Sequence, residues 1–297
     1  MGSAMLQSAE VPVADARTRA MEAVKRVTTL ATLPEVTARI VNTVEDPRST
    51  AAQLHKIIAH DPALVTRILK IVNSAFYGLP GQIGSVERAI VLLGLNAVKN
   101  IAVAASLGQM FRGTSLCDEY TAKDLWRHCI AVAVGARDLT KQLKLPMADE
   151  AFLAGMIHDV GILISMQLWP ERVRQVCEVV KKTGRSFSSI EQELIGFDHQ
   201  QLGSVLAESW KFPSACQIVA GHHHNPEALG GENRMLLTIV YVADVLASQG
   251  GHGFPLTSQG QALDATWIAD AGISAEIIDR TRAKIPELLE SAGALLT

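Results

Sequence analysis

Thiol pairs are missing from this sequence: Cys117, Cys129, Cys177 and Cys216 stand far apart, with no C-x-x-C among them. That spacing excludes a thiolate zinc ribbon and a disulfide framework, and buried, reduced thiols are expected. An excess of either charge is missing too, with 27 Lys and Arg against 30 Asp and Glu and a formal net charge of −3. Such a balance offers no electrostatic footprint for nucleic acid or an anionic membrane, so neither is expected as a partner. The local basic cluster Arg172, Arg174, Lys181, Lys182 and Arg185 is interrupted by Glu171 and Glu178 and reads as a solvated helix face. Near the C-terminal end the longest apolar run, Met235–Ala247, contains Asp244 and falls short of a membrane span. No charged-then-apolar leader opens the chain and Leu6 breaks a myristoylation match, so a cytoplasmic protein is expected. A Ser-His-Asp elbow, a phosphate-cradling glycine loop and a dinucleotide fingerprint are all absent, which leaves the enzyme classes built on them without support. There is no internal repeat, no low-complexity tract and no alternating strand pattern longer than four residues.

What is present is helical periodicity, and the expected fold class is all-α. With 297 residues, 48% of them hydrophobic, the chain can bury a full core, divided into two subdomains. Leu64, Ile68, Ile71, Val72 and Ala75 make one apolar stripe on a helix that Asp61-Pro62 starts and Gly78 ends. Upstream, Pro34 opens a helix to about Glu45 that Asp46-Pro47 stops, and Ser49-Thr50 starts another over Ala51–Ala59. Ser85 caps a helix to Leu93, and Asn96 starts one reaching about Met110. The spacing predicts a tail over 1–19, a helical unit over 20–112 and a polar hinge at Arg112–Asp118. A second helical unit over 119–250 follows, then the loop Gly250-Gly251-His252-Gly253 and C-terminal helices over 251–297, the last capped by Ser274. Asn73-Ser74-Ala75-Phe76-Tyr77-Gly78 reads as a packed helix terminus, with a protein-recognition surface as the functional alternative.

Against this background stands a set of histidines and aspartates. His158-Asp159 closes the apolar stretch Ala151–Ile157. His128 precedes it on a helix that also carries Asp124, and His199, His223-His224 and Asp244 follow. Asp124 and His128, four apart, share a helix face. Gly161 permits the turn that would let His158 and Asp159 converge. Asp244 is flanked by Ile239–Ala243 and Val245–Ala247, where a carboxylate is costly unless paired or metal-bound. Imidazole with carboxylate and without thiolate suits divalent iron, manganese or zinc. Each residue also has a structural reading. His223 and His224 can complement a helix C-terminus, His199 can be a surface residue, and Asp244 with His128 can form a metal-free buried network. His55, His60 and His252 fit no such arrangement and are expected at the surface.

The order His, His-Asp, Asp resembles that of the HD metal-dependent phosphohydrolases. Further motifs narrow the resemblance: Leu33-Pro34, Asp46-Pro47, Asp61-Pro62-Ala63-Leu64, Val72-Asn73-Ser74-Ala75-Phe76-Tyr77-Gly78, Ser85-Val86-Glu87-Arg88-Ala89-Ile90 and Leu92-Leu93-Gly94-Leu95. Together they resemble the amino-terminal part of HDOD domains, the HD-related output domains of bacterial signalling, over about residues 30–248. The resemblance implies an N-terminal helical bundle packed on an HD-like subdomain, with His128, His158, Asp159 and Asp244 as the minimal ligand set. His199, His223 and His224 match the extra ligands of the HD-GYP phosphodiesterases, and Asp124 falls where those enzymes place another carboxylate, so a second metal is implied. Two departures argue against turnover. Ile162 stands where those enzymes have a phosphate-binding lysine. Asn225-Pro226-Glu227-Ala228-Leu229-Gly230-Gly231 replaces their acidic stretch and Gly-Tyr-Pro loop. The expectation is a non-catalytic signalling module. It would act by contact with proteins such as diguanylate cyclases, phosphodiesterases or receivers, and the chain has no room for a fused one. The alternative is a metal-dependent phosphohydrolase acting on a nucleotide or cyclic dinucleotide.

Overall fold

The computed structural model describes residues 13–27, 35–45, 48–111, 113, 115–231, 233–263 and 266–296. It is all-α, as expected. Among the described residues there is no strand, only an isolated antiparallel bridge between Ser115 and Thr121.

The N-terminal unit consists of short helices whose ends are written in the sequence. After α1 (Val13–Arg26) come α2 (Glu35–Glu45), α3 (Ala51–Ala59), α4 (Pro62–Val72), α5 (Val86–Leu93) and α6 (Leu95–Leu107). Thr50 and Gln53 form a capping box on α3, Asp61 accepts from Leu64 N–H on α4, and Ser85 accepts from Arg88 N–H on α5. Leu33-Pro34 and Asp46-Pro47 lie outside the described residues. Asn73, at the end of α4, secures the next loop: its Nδ2 donates to Leu69 O (2.8 Å) and Ile83 O (3.0 Å), and its Oδ1 accepts from Ile83 N–H (2.7 Å). Phe76 then packs 5.8 Å from Phe152 and beneath the Arg137 guanidinium, so this motif joins the two halves.

The second half is built round α7 (Ala122–Gln142). It packs against α8 (Ala148–Ile157) and is followed by α9 (Gly161–Leu168), α10 (Pro170–Thr183), α11 (Phe187–Leu194), α12 (His199–Ser209), α13 (Ser214–His222), α14 (Arg234–Gln249), α15 (Thr266–Asp270) and α16 (Ala275–Ser291). Small residues set how closely these helices approach. A Cβ on Gly155 of α8 would lie 2.9 Å from Ala133 Cα of α7, and one on Gly135 of α7 would lie 3.3 Å from Ile285 of α16. The stretch Ala148–Leu168 is long and apolar enough to cross a membrane by composition, yet 89% of an 18-residue window within it is buried as core, and the turn at His158–Val160 divides it. All four cysteines are free and buried.

Three features differ from the boundaries expected. Helix α1 begins at Val13, within the expected tail, and lies on α12 and α9 of the second half, where Arg17 pairs with Glu208 at 2.6 Å. The buried residues Ala20, Ala23, Val24 and Val27 fall at helical spacing, which does not say which half the helix covers. The expected hinge is partly buried: Leu116 and Cys117 are inside, and both their N–H groups donate to Tyr120 O. Arg112 and Thr114 of that segment lie outside the described residues. The core runs unbroken from one half to the other. At the C-terminal end, Trp126 Nε1 donates to Leu295 O at 2.8 Å, tying the last turn to α7.

Candidate metal centre

Four helices and one tight turn bring the candidate ligands together. His128 comes from the middle of α7, His158 and Asp159 from the turn between α8 and α9, His199 from the first turn of α12, and Asp244 from α14. His223 and His224 follow the last turn of α13. His128, His158, Asp159, His199, His223 and Asp244 are fully buried, and the His224 side chain is 7% exposed. The reading of His199 as a surface residue is therefore overturned.

Gly161 contributes differently from its expected role. Its φ is not positive, so it makes no left-handed turn. Its lack of a side chain instead lets α12 come close: a Cβ there would lie 2.6 Å from Gly203 N and collide with the His199 carbonyl. Close approach places His199 beside Asp159, as Gly155 places His158 beside His128.

Asp159 is at the middle. Its Oδ2 faces His158 Nε2 (3.3 Å) and His128 Nε2 (3.8 Å), and its Oδ1 faces His223 Nε2 (3.3 Å) and His199 Nε2 (3.4 Å). Asp244 divides similarly, with Oδ1 3.0 Å from His128 Nε2 and 4.0 Å from His158 Nε2, and Oδ2 3.6 Å from His224 Nδ1. The donors thus form two adjoining groups that share Asp159. One holds His128 and His158 and the other His199, His223 and His224, while Asp244 forms a further set with His158 and His223 that overlaps both.

The outer nitrogens are anchored. His158 Nδ1–H donates to Gly155 O at 2.7 Å, His223 Nδ1–H to Val219 O at 3.1 Å, and His199 Nδ1–H to Glu191 at 2.5 Å. A carbonyl or carboxylate can only accept, so each contact fixes the tautomer that turns Nε2 inward, the arrangement typical of metal-ligating histidines. The inner atoms lack such partners. His128 Nε2, His158 Nε2, His223 Nε2, His224 Nδ1, both Asp159 oxygens and Asp244 Oδ1 are buried without a hydrogen bond. Orphaned buried donors and acceptors are rare and costly, and these seven face one another. Divalent cations fit them, because imidazole nitrogens and carboxylate oxygens left without hydrogen bonds are donors that bound metal would satisfy.

The electrostatics follow from burial and proximity. Burial opposes the charged form of Asp159, but the imidazoles of His158, His223 and His199 outweigh it and hold its carboxyl well below the usual range. Burial is likewise outweighed at Asp244, lowered chiefly by His128 and His158. His158 is raised because Asp159 overcomes its burial, and His199 is raised to about 9 because Glu191 does the same. His223 and His224 are lowered, first by burial and then by neighbouring imidazoles.

Asp124 does not join the centre. It does share a face with His128, but four residues of α-helix rise about 6 Å, and its Oδ2 accepts from Thr121 N–H and Oγ1–H, each at 2.7 Å, to cap α7. Two participants were not expected. Glu191 is 1% exposed and accepts from both the backbone N–H and Nδ1–H of His199. It falls in the apolar stripe Phe187, Ile190, Glu191, Leu194, where a carboxylate is itself a signal. Ser258, on the short turn Leu256–Ser258, donates to Asp244 Oδ2. The segment Gly253–Ser258 covers the centre. A Cβ on Gly253, at φ +94°, would lie 2.6 Å from His128 N, and buried Phe254 packs between Tyr120 and Phe187. Ile162 is fully buried.

The family model for the HDOD domain matches residues 30–226. An uncharacterized protein of Treponema pallidum (strain Nichols) is 24% identical over 221 residues, which is 74% of this chain and 42% of that protein, so the chain spans less than half of that relative. Three solved structures share the fold. An HDOD domain protein from Geobacter sulfurreducens has a TM-score of 0.73 at 23% identity, over 93% of this chain and 99% of that one. A candidate signal transduction protein from Marinobacter aquaeolei VT8 has a TM-score of 0.76 at 23% identity, over 96% of this chain and 66% of that one. For a candidate metal-dependent phosphohydrolase from Shewanella amazonensis SB2B the values are 0.62 and 20%, over 95% and 100%.

Proposed function

The chain belongs to the HDOD domain family, and from that premise we propose that it is a non-catalytic signalling module whose buried centre holds metal to brace the fold. The observation that carries this reading is closure. The ligand atoms are sealed beneath Gly253–Ser258, and six of the seven candidate ligand residues have no exposed surface. Among the described residues, every ion-pair partner of Asp159 and Asp244 is a histidine. No cation stands ready to steady phosphoryl charge there, and the position where the resemblance would place one is buried Ile162.

His128, His158, Asp159 and Asp244 would hold one ion, and Asp159 with His199, His223 and His224 a second. The mixture of imidazole and carboxylate suits iron, manganese or zinc. Bound there, a divalent cation would supply charge neutralisation between buried carboxylates. The chain's own part is orientation, in which Gly155 O, Val219 O and Glu191 aim three imidazoles at one volume. Signalling would then pass through protein contact, with diguanylate cyclases, phosphodiesterases or receiver proteins as the partner classes.

The test is elemental analysis of the purified protein combined with a phosphodiesterase assay on bis(p-nitrophenyl) phosphate and cyclic dinucleotides. Bound metal without turnover is expected. Turnover abolished by Asp159→Ala would replace this reading with the hydrolase.

A further inference from the structure

A second polar region lies outside the histidine centre. A cleft of about 730 Å3 opens between α4, the end of α6, the start of α7 and the last turn of the chain. Four cations line it, Arg67 and Lys70 from α4 and Lys123 and Arg127 from α7. In a protein of net charge −3 this is a strong local reversal. The spacing sharpens it: three apart on α4 and four apart on α7, each pair shares a helix face, where like charges repel. Lys123 and Arg127 form no ion pair among the described residues. Arg67 approaches Asp61 only to 4.0 Å, and its Nε is buried without a hydrogen-bond partner. Among the described residues the one carboxylate in the lining, Asp124, is already engaged by Thr121. Lys123 also lies in the first turn of α7, where the helix dipole adds positive potential.

The remaining wall is apolar. Ile71, Ala104, Ala105 and Gly108 contribute small surfaces, and Trp126 is fixed against Gly108 by its bond to Leu295 O. The volume suits an organic ligand rather than a bare inorganic anion. We propose that this cleft binds a phosphorylated small molecule of nucleotide size, its phosphates held by Arg67, Lys70, Lys123 and Arg127 and its organic part lying along the apolar wall. Such a ligand relieves the repulsion between Lys123 and Arg127 and clamps α4 of one half to α7 of the other. Arg127 is adjacent in sequence to His128, so an occupied cleft also holds the helix that supplies the buried centre. The proposal does not depend on whether that centre holds metal or turns anything over.

ATP serves as the probe and pyrophosphate as the phosphate-only comparison, with binding followed by calorimetry and by tryptophan fluorescence. Saturable ATP binding is expected, tighter than that of pyrophosphate and weakened by salt. The double variant Lys123→Gln/Arg127→Gln and, separately, Arg67→Gln should each weaken it at least about tenfold, as loss of charge-assisted contacts does. Lys182→Gln, in the surface cluster on α10, should leave it unchanged. The variants come from opposite walls, so one that misfolds by circular dichroism leaves the other to decide, and metal content measured in parallel keeps the buried centre separate. No saturable ATP binding up to about 5 mM, the weak end of specific affinities, would overturn the proposal. So would folded cleft variants that bind as tightly as wild type, or pyrophosphate binding as tightly as ATP.

Discussion

The N-terminal unit and the histidine-bearing half use polar side chains in opposite ways. In the first, Thr50, Asp61, Asn73 and Ser85 bond backbone groups at and beyond the helix ends, so those groups are satisfied locally. In the second, His128, His158, Asp159, His223 and Asp244 are carried into the core and their inner atoms find no hydrogen bond. In one region the groups at the helix ends are satisfied and the buried atoms left without a hydrogen bond, Thr37 Oγ1, Arg67 Nε and Asn100 Oδ1, are scattered; in the other, seven such atoms are gathered at one place. Burial of this kind is tolerable when something else completes it, which is why metal is expected in the second half.

The comparison breaks most severely if packing, rather than ligation, is disturbed. Gly161→Ala drives a methyl into the backbone of α12, and a loss of about 3–5 kcal/mol is expected, at the upper end for single substitutions. Denaturant melts measure it, and a change below 1 kcal/mol, roughly the surface-substitution range, would mean that α12 is not held where described. Next in size, Asp159→Asn should abolish binding at both groups of donors, because its two oxygens serve both. Elemental analysis showing half the metal retained would mean that Asp159 is not shared.

Glu191→Gln sharpens the comparison. It leaves every inner atom in place and should weaken metal binding about 10–100-fold, the usual cost of removing a carboxylate behind a ligating histidine. It should also alter the pH dependence. Glu191 holds His199 up to about 9, so below that pH a proton must leave before His199 can ligate, and affinity should climb by about tenfold per pH unit toward 9. That rise should end nearer the ordinary histidine value of about 6.5 in the variant. Unchanged profiles would separate His199 from the centre. The smallest effect is on the other side of the comparison. Asn73→Ala removes the contacts to Leu69 and Ile83, should cost about 1–2 kcal/mol and should leave metal content unchanged.

Much of this was legible in the sequence because it is local. Caps at Thr50, Asp61, Ser85 and Ser274 and the apolar stripe of α4 depend on spacings of three and four. The residues His128, His158, Asp159, His199, His223, His224 and Asp244 are legible as a set through the resemblance of their order to that of the HD and HD-GYP families, and they do converge. What was hidden depends on which elements touch. Helical spacing put Asp124 on the face of His128 but could not say that Thr121 would claim it. Gly161 suits a turn by sequence, whereas its contribution is to let a distant helix approach. Ser258 and Phe254 belong to a loop whose composition gives no hint that it closes over α7.

The account rests on metal completing the buried centre. The most direct measurement is the melting temperature of protein first confirmed to contain metal, with and without a chelator, beside Asp159→Asn. A ligand that binds only the folded state at a hundredfold excess over Kd adds about 2.7 kcal/mol. Chelation should therefore lower the wild-type melting temperature while helical content at room temperature persists, and the variant should scarcely respond. Equal wild-type melting temperatures in both conditions would contradict the account.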